Sequence, residues 1–216
     1  MSCVLFHLTP TQTPHTPITQ RERAVYQDIF QIPTYSDHSP GEVYAPLFAS
    51  LAQAPATVLD AGCGSGKGML ALTALGFSVY GCDLTDAGLV PEARALGNML
   101  QACLWRDVFP VAYIAASGKT GDCAFQFDYA YCCDVLEHIP PTFTMLAVRN
   151  ILAVTRYAAF FSIALTPDNF GVWVGKPLHQ TVQSFTDWRD QLSEVGRVLE
   201  ARDLGVNGIY WVAPWR

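Results

Sequence analysis

Residues 58–68 read VLDAGCGSGKG, the most informative motif of the chain for its fold class. Two apolar residues lead into an acid, Asp60, and glycine then occupies every second position from Gly62 to Gly66. Because glycine has no Cβ, it allows the backbone to turn sharply and to approach a ligand closely. The order of strand, acid, glycine turn and helix predicts a βα unit that presents a helix N-terminus to a nucleotide-like ligand.

Two common nucleotide-binding motifs do not match this turn. A Walker A loop requires glycine where the chain has Ala61, and Ser or Thr where it has Gly68. A dinucleotide fingerprint, Gly-x-Gly-x-x-Gly, requires a third glycine where the chain has Lys67 or Met69, depending on the starting glycine. The spacing therefore argues against both kinds of site.

Alternating strands and helices extend outward from the turn. Short apolar runs predict strands over residues 57–59, 78–82, 101–105, 127–133, 158–165, 197–204 and 209–213. Helical periodicity, with proline and glycine at the ends, predicts helices over residues 20–30, 42–52, 67–75, 91–96 and 141–154 and one that opens at Ser184. The last two strands are joined by a short turn, which makes them an antiparallel pair at the sheet edge. The pattern predicts a three-layer α/β domain.

Two further strand ends carry residues suited to a binding site. The second strand ends in Tyr-Gly-Cys-Asp-Leu, so that Asp83 can accept hydrogen bonds from both hydroxyls of a ribose. The fourth strand runs into residues 127–139, FDYAYCCDVLEHI. Because ligands of open α/β sheets bind at the carboxyl ends of the strands, we expect both segments to line one crevice with the glycine turn.

These segments resemble two motifs of the class I S-adenosylmethionine (SAM)-dependent methyltransferases. Residues 58–66 are similar to motif I, apolar-apolar-Asp-x-Gly-x-Gly-x-Gly, and residues 127–139 to motif IV of the small-molecule, type 11 and 12-like branch. The resemblance implies a Rossmann-like sandwich with a seven-stranded, mostly parallel sheet in the order 3-2-1-4-5-7-6. It also implies SAM as the cofactor, an N-terminal arm and lid over residues 1–40, and a methyltransferase domain over residues 41–216.

The resemblance also assigns cofactor contacts. Asp60 is expected to hold the SAM amino group, the backbone of Gly62, Cys63 and Gly64 to pack on its methionine part, and Asp83 to bind the ribose. The remaining expected contacts are Leu84, Asp107 and Val108 at the adenine, Cys133 at the end of strand four, and Tyr35 and His38 in the lid. A surface turn at residues 107–108 and a plain structural linker at residues 35–40 are the alternatives.

Two histidines are candidate catalytic residues. Methyl transfer from a sulfonium is an in-line displacement that depends chiefly on alignment, and a base is needed only for a reluctant nucleophile. His138 and His179 can supply one, because an unperturbed imidazole titrates near neutral pH. His179 stands in PLHQT, residues 177–181, which resembles a loop that closes the substrate pocket in some relatives. The alternatives are a helix-start His138 bonded to backbone and a solvent-exposed His179.

Residues 127–139 lack a motif of the DNA-base methyltransferases, and this bears on the class of methyl acceptor. Methyltransferases of DNA bases carry Asn/Asp-Pro-Pro-aromatic where this chain has Cys-Asp-Val-Leu, so oxygen or nitrogen of a small molecule is expected instead. A net charge of −6 without a run of basic residues makes nucleic acid an unlikely partner. A nucleic-acid or protein methyltransferase and a non-catalytic SAM-binding subunit stay open, as do the acceptor's identity and the oligomeric state.

Composition predicts a cytoplasmic, folded chain. Half of the residues are hydrophobic and 15% are charged, and the seven cysteines include no CxxC pair and no zinc-finger spacing, which predicts reduced thiols and no metal site. Residues 1–8 lack the basic start of a signal peptide. The longest apolar run, residues 157–165, is far shorter than the ~20 residues of a membrane helix.

Overall fold

A computed structural model describes residues 16–37, 39–106 and 127–215. Its strands form a seven-stranded sheet in the order β3-β2-β1-β4-β5-β7-β6. They are β1 Thr57–Ala61, β2 Ser78–Asp83, β3 Met99–Gln101, β4 Phe127–Cys133, β5 Thr155–Ala164, β6 Gly196–Asp203 and β7 Asn207–Pro214. The strands β1 to β5 run parallel, and β7 pairs antiparallel with both β5 and β6. The predicted fold class and strand order are confirmed.

Helices cover both faces of the sheet. They are α1 Pro17–Ile29, α2 Pro33–Ser36, α3 Pro40–Leu51, α4 Lys67–Ala74, α5 Pro91–Ala95, α6 Pro141–Ala153 and α7 Phe185–Val195, with short 3-10 turns at Leu136–His138 and Phe170–Trp173. One core contains side chains of α3, α4 and α5, and the other contains side chains of α6 and α7. No helix of the described residues has the length and apolar character needed to cross a membrane.

The side chains of β4 alternate between these two cores. Ala130 and Cys132 pack with α6 and α7, whereas Tyr131 and Cys133 pack on the other face with α3 and α4. A parallel strand that is covered on both faces has to be apolar throughout. This explains why most of β4 and β5, at residues 129–133 and 157–164, reads as a nearly continuous apolar run and was predictable from the sequence.

Prolines set the helix starts of the N-terminal region. The first helix begins at Pro17 and not at residue 20, and α3 begins at Pro40 and not at residue 42. The residues between the predicted helices 20–30 and 42–52 contain a further, one-turn helix, Pro33–Ser36. Each start has proline in the first turn, where its missing N–H has no helical partner to lose and its fixed φ suits the helix.

Strand three was predicted over residues 101–105, and this prediction is wrong. The strand is Met99–Gln101, which pairs with residues 81–83 of β2. The chain turns immediately afterwards, and Leu104 and Trp105 are buried without joining the sheet. An apolar run reports burial and not hydrogen bonding, so a buried turn was mistaken for a strand. Residues 1–15 of the predicted N-terminal arm and the segment 109–125, for which the sequence predicts no element, lie outside the described residues.

Candidate functional site

The glycine turn after β1 adopts a backbone that other residues rarely adopt. Gly62, Gly64 and Gly66 have φ values of 82°, 50° and 75°. A Cβ on Gly62 would lie 2.4 Å from a methyl carbon of Val135. The backbone N–H groups of Gly62 and Cys63 both donate to the carbonyl of Cys82, at 2.7 and 3.1 Å. The turn is thereby tied to the end of β2.

Asp60 lies at the floor of the site. Its side chain is buried, and a Cβ on Gly68 would come within 3.1 Å of its Oδ2. Burial, and secondly the charge of Asp83, raises the pKa of Asp60 to about 8. A carboxylate in this position therefore favours a cationic ligand that restores its ionised form.

Asp83 ends β2 beside the same turn. Its Oδ2 accepts a hydrogen bond from Gly64 N at 2.9 Å, and its Oδ1 accepts one from Thr85 N at 3.3 Å. Burial raises the pKa of Asp83 to about 6, although these backbone donors act in the opposite direction. Asp83 is therefore a fixed acceptor in the crevice and not a solvated carboxylate at a strand end.

A cavity of about 340 Å³ opens over the carboxyl ends of β1, β2 and β4. Ten of the predicted site residues line it: Tyr35, Asp60, Gly62, Cys63, Gly64, Asp83, Leu84, Cys133, His138 and His179. The other three, His38, Asp107 and Val108, lie outside the described residues. Ala102, Leu104 and Trp105, from the buried turn after β3, add an apolar wall next to Leu84. The structure thus brings together segments that are far apart in the sequence.

The first helix lies against this cavity, within the region where an N-terminal arm and lid was predicted, although none of its residues was named as a site residue. Glu22 and Tyr26 of α1 and Phe30, which caps its end, all line the cavity. The Phe30 ring contacts that of Tyr35 with a centroid distance of 5.4 Å, and Tyr35 contacts Phe170 at the same distance. The spacing of Glu22, Tyr26 and Phe30, four residues apart, places them on one helix face and was the available signal.

An ion pair joins this helix to the loop after β5. Lys176 Nζ lies 2.7 Å from Glu22 Oε2, and Glu22 is largely buried. Gln180 Nε2 donates to the same carboxylate at 3.0 Å and to the carbonyl of His138 at 2.9 Å. These bonds hold the cover and the loop against the end of β4.

The turn after β4 is anchored by Glu137. This side chain is buried, and its Oε1 accepts a hydrogen bond from Ala164 N at 2.8 Å. The Glu137 carbonyl accepts from the backbone N–H groups of Gln180 and Thr181. Burial, and secondly the charge of Asp134, raises the pKa of Glu137 well above its usual range. The turn and the loop are therefore held as one unit.

The two histidines face each other at one end of the cavity. Their rings meet edge to face with centroids 4.8 Å apart. His179 Nδ1 lies 2.6 Å from the carbonyl oxygen of Thr166, and the Asp168 carboxylate accepts from His179 N at 2.9 Å. Burial, and secondly the charge of His179, lowers the pKa of His138 to about 3, although a backbone hydrogen bond at Leu178 acts in the opposite direction. His138 is therefore neutral.

Comparisons with known proteins agree with this geometry. The profile of a family described as "Methyltransferase domain" matches residues 37–205. A search of curated proteins finds no match.

Solved structures share the fold at low sequence identity. The chain is similar to the 1,6-didemethyltoxoflavin-N1-methyltransferase of Burkholderia thailandensis, bound to 1,6-didemethyltoxoflavin and S-adenosylhomocysteine, with 15% identity, a TM-score of 0.65, and 96% of this chain and 95% of that chain covered. It is also similar to a TehB-like SAM-dependent methyltransferase of Corynebacterium glutamicum. The identity is 17% and the TM-score 0.58, with 91% of this chain and 99% of that chain covered. A third similar structure is the SAM-bound magnesium protoporphyrin IX methyltransferase of Synechocystis. The identity is 19% and the TM-score 0.53, with 93% of this chain and 86% of that chain covered.

Proposed function

We propose, because the chain belongs to the methyltransferase-domain family of class I SAM-dependent methyltransferases, that it transfers a methyl group from SAM to oxygen or nitrogen of a small molecule. The observation that carries this proposal is that Asp60, Asp83, His138 and His179 line one and the same cavity. Two carboxyl groups flank a glycine turn at one end, and two imidazoles stand at the other. A cofactor and an acceptor can therefore meet within it.

The cofactor half is assigned from charge and hydrogen bonding. The buried Asp60 suits the ammonium group of SAM, because an unpaired carboxylate in this place is otherwise costly. Asp83, already held by two backbone donors, presents its remaining lone pairs to the ribose hydroxyls. Leu84 and Trp105 supply apolar surface for the adenine. SAM supplies the methyl group and its sulfonium the leaving group.

The acceptor half lies between α1 and the loop after β5. Tyr26, His138, Phe170 and His179 line this end of the cavity. The largely aromatic wall at this end of the cavity suits a compact, planar or apolar acceptor more than a polymer. The net charge of −6 also disfavours nucleic acid. Rate acceleration then comes chiefly from holding the acceptor in line with the methyl–sulfur bond.

A cytoplasmic location is part of this proposal. Five cysteines of the described residues are buried in the core: Cys63, Cys82, Cys103, Cys132 and Cys133. Buried cysteines that act as small apolar side chains suit a reducing compartment.

The proposal is tested by binding and turnover on the full chain. Calorimetry with S-adenosylhomocysteine should show one site, while NAD should give no heat above dilution. A mixture of hydroxylated and aminated metabolites, incubated with SAM, should then yield S-adenosylhomocysteine and a methylated product in equal amounts. Binding of NAD in place of S-adenosylhomocysteine would overturn the assignment of the cofactor. Cofactor binding without turnover of any acceptor would indicate a SAM-binding subunit.

A further inference from the structure

Three side chains that the sequence separates converge at the acceptor end of the cavity. Glu137 and His138 come from the turn after β4, and His179 comes from the loop after β5. One potential ligand atom from each lies within 4.8 Å of the other two. Two imidazole nitrogens and one carboxylate oxygen are a donor set that binds Zn²⁺ and related divalent metals in proteins.

Two polar atoms of this cluster are buried without a partner. Glu137 is 0% exposed, and its Oε2 has no hydrogen-bond partner among the described residues. The same is true of His138 Nδ1. Unsatisfied buried polar atoms are rare in native structures, so two in one cluster indicate a missing ligand.

The third residue is oriented in the way that metal-binding histidines usually are. His179 Nδ1 lies 2.6 Å from the Thr166 carbonyl oxygen, which can only accept, so Nδ1 carries the proton. The lone pair is then on Nε2. A hydrogen bond from the other ring nitrogen to a carbonyl is the common outer contact of a metal-bound imidazole.

We infer that Glu137, His138 and His179 bind a divalent transition-metal ion, with Zn²⁺ as the reference case. Ligand atoms around tetrahedral zinc are about 3.4 Å apart, given bonds of about 2.1 Å. The three donors would therefore have to close by at most about 1.4 Å from the separation in the structure. His179 stands on a loop, which can accommodate such a movement.

A proton on Glu137 would neutralise its charge without an ion, but it would not satisfy the cluster. Its O–H would need an acceptor, and Oε2 has none among the described residues. The unpartnered Nδ1 of His138 would also remain. A single cation satisfies both atoms together with the free lone pair of His179.

The role of the metal ion in the reaction rests on the proposed function. With the ion bound, the expected methyl acceptor is a hydroxyl compound. Three protein ligands leave a fourth position open, where the acceptor oxygen binds after its proton passes to solvent water. The oxygen lone pair then forms the bond to the methyl carbon as the methyl–sulfur bond breaks. The sulfur keeps that electron pair, so the products are a methyl ether and neutral S-adenosylhomocysteine.

Metal binding is tested on the full chain after treatment with EDTA. Calorimetric titration with Zn²⁺ should show one site per chain, and titration with Co²⁺ should give the visible absorption of a low-coordinate site without a thiolate charge-transfer band. His179→Ala should weaken zinc binding by more than about 100-fold, since even the loss of an outer contact costs up to that factor. Glu194→Ala, on the exposed surface of α7, is the control and should leave zinc binding unchanged.

The buried Glu137 requires a second check. Zinc binding by Glu137→Gln is measured only if thermal unfolding shows that this variant is folded. If the variant is not folded, the result for His179→Ala decides the question. Absence of zinc binding in the wild-type chain, or equal binding in His179→Ala, would overturn the inference. S-adenosylhomocysteine binding on the same samples separates the two proposals, because its loss would count against the proposed function and not against the metal site.

Discussion

Two carboxyl groups, the buried Asp60 and the half-buried Asp83, dominate the site at the scale of single residues. Asp60 and Asp83 end neighbouring strands, and burial raises the pKa of each. For Asp83, hydrogen bonds from Gly64 N and Thr85 N partly offset this rise in pKa. The Asp60 carboxylate receives no such hydrogen bond from the described residues. An ionised acid that is buried without a partner is unfavourable, so Asp60 should gain most from a bound cation.

Asp83→Asn should weaken S-adenosylhomocysteine binding by about 10- to 150-fold, because a hydrogen bond to a charged group contributes about 1.5–3 kcal/mol. The amide keeps an acceptor for Gly64 N, which preserves the turn while the charge is lost. Asp190→Asn, on the exposed surface of α7, is the matched control. Equal dissociation constants for the two variants, measured by calorimetry, would show that Asp83 does not bind the cofactor.

Cofactor binding should depend on pH through Asp60. The pKa of about 8 means that the ligand-free carboxyl is largely protonated at pH 7, and pairing with an ammonium group should release that proton. Affinity for S-adenosylhomocysteine should therefore rise from pH 6.5 to about 8 and then level off. Calorimetry in two buffers of different ionisation enthalpy should detect the release, and Asp60→Asn should abolish it.

The stability of the ligand-free protein should change with pH in the opposite sense. The folded pKa of Asp60 is above its ordinary value of 3.8, so the folded state binds more protons than the unfolded state between those two values. Its contribution to the free energy of unfolding falls as pH rises from about 4 to about 8. A flat pH profile in both binding and unfolding would mean that the buried carboxyl is paired in some other way.

The glycine turn is the element on which the site depends. It runs from the end of β1 to the start of α4, with the side chain of Val135 directly against Gly62. The same turn donates to the carbonyl of Cys82 and to the carboxylate of Asp83, so its shape sets the spacing between β1 and β2 at their ligand-binding ends. A change in this element should alter both stability and cofactor affinity.

Gly62→Ala should destabilise the chain more than Gly97→Ala does. Both glycines have positive φ, so alanine costs about 1–2 kcal/mol of backbone strain at either position. Gly97 faces open space, whereas a Cβ at Gly62 overlaps Val135, which adds about 1–3 kcal/mol. Urea unfolding at equilibrium compares the two. A smaller loss at position 62 would show that the turn can move away from Val135.

At the scale of the whole molecule, two cores hold the strand ends in place. Phe48 of α3 is fully buried and packs edge to face against Tyr131, Phe160 and Trp211, from three different strands. Tyr131 donates its hydroxyl to the Gly41 carbonyl at 2.6 Å, which joins the start of α3 to β4. The helix that precedes the sheet in the sequence is therefore part of its support.

Phe48→Ala should lower the free energy of unfolding by about 3–5 kcal/mol, the usual cost of removing a buried phenylalanine. Val43→Ala, on the exposed side of the same helix, should change it by less than about 0.5 kcal/mol. Thermal and chemical unfolding of both variants provide the measurement. Similar losses in the two would mean that α3 does not pack on the sheet as described.

Most of the architecture and one end of the site could be predicted from the sequence. Apolar runs marked the buried strands, and the resemblance of residues 58–66 and 127–139 to methyltransferase motifs implied the cofactor. The limits of β3, the part that α1 plays in lining the cavity and the meeting of Glu137 and His138 with His179 are visible only in the folded chain. Burial leaves a pattern in neighbouring residues, whereas the pairing of side chains about 40 positions apart depends on the path of the folded chain. For this reason cysteine and histidine spacing predicted no metal ligands, although the fold brings together three suitable donors.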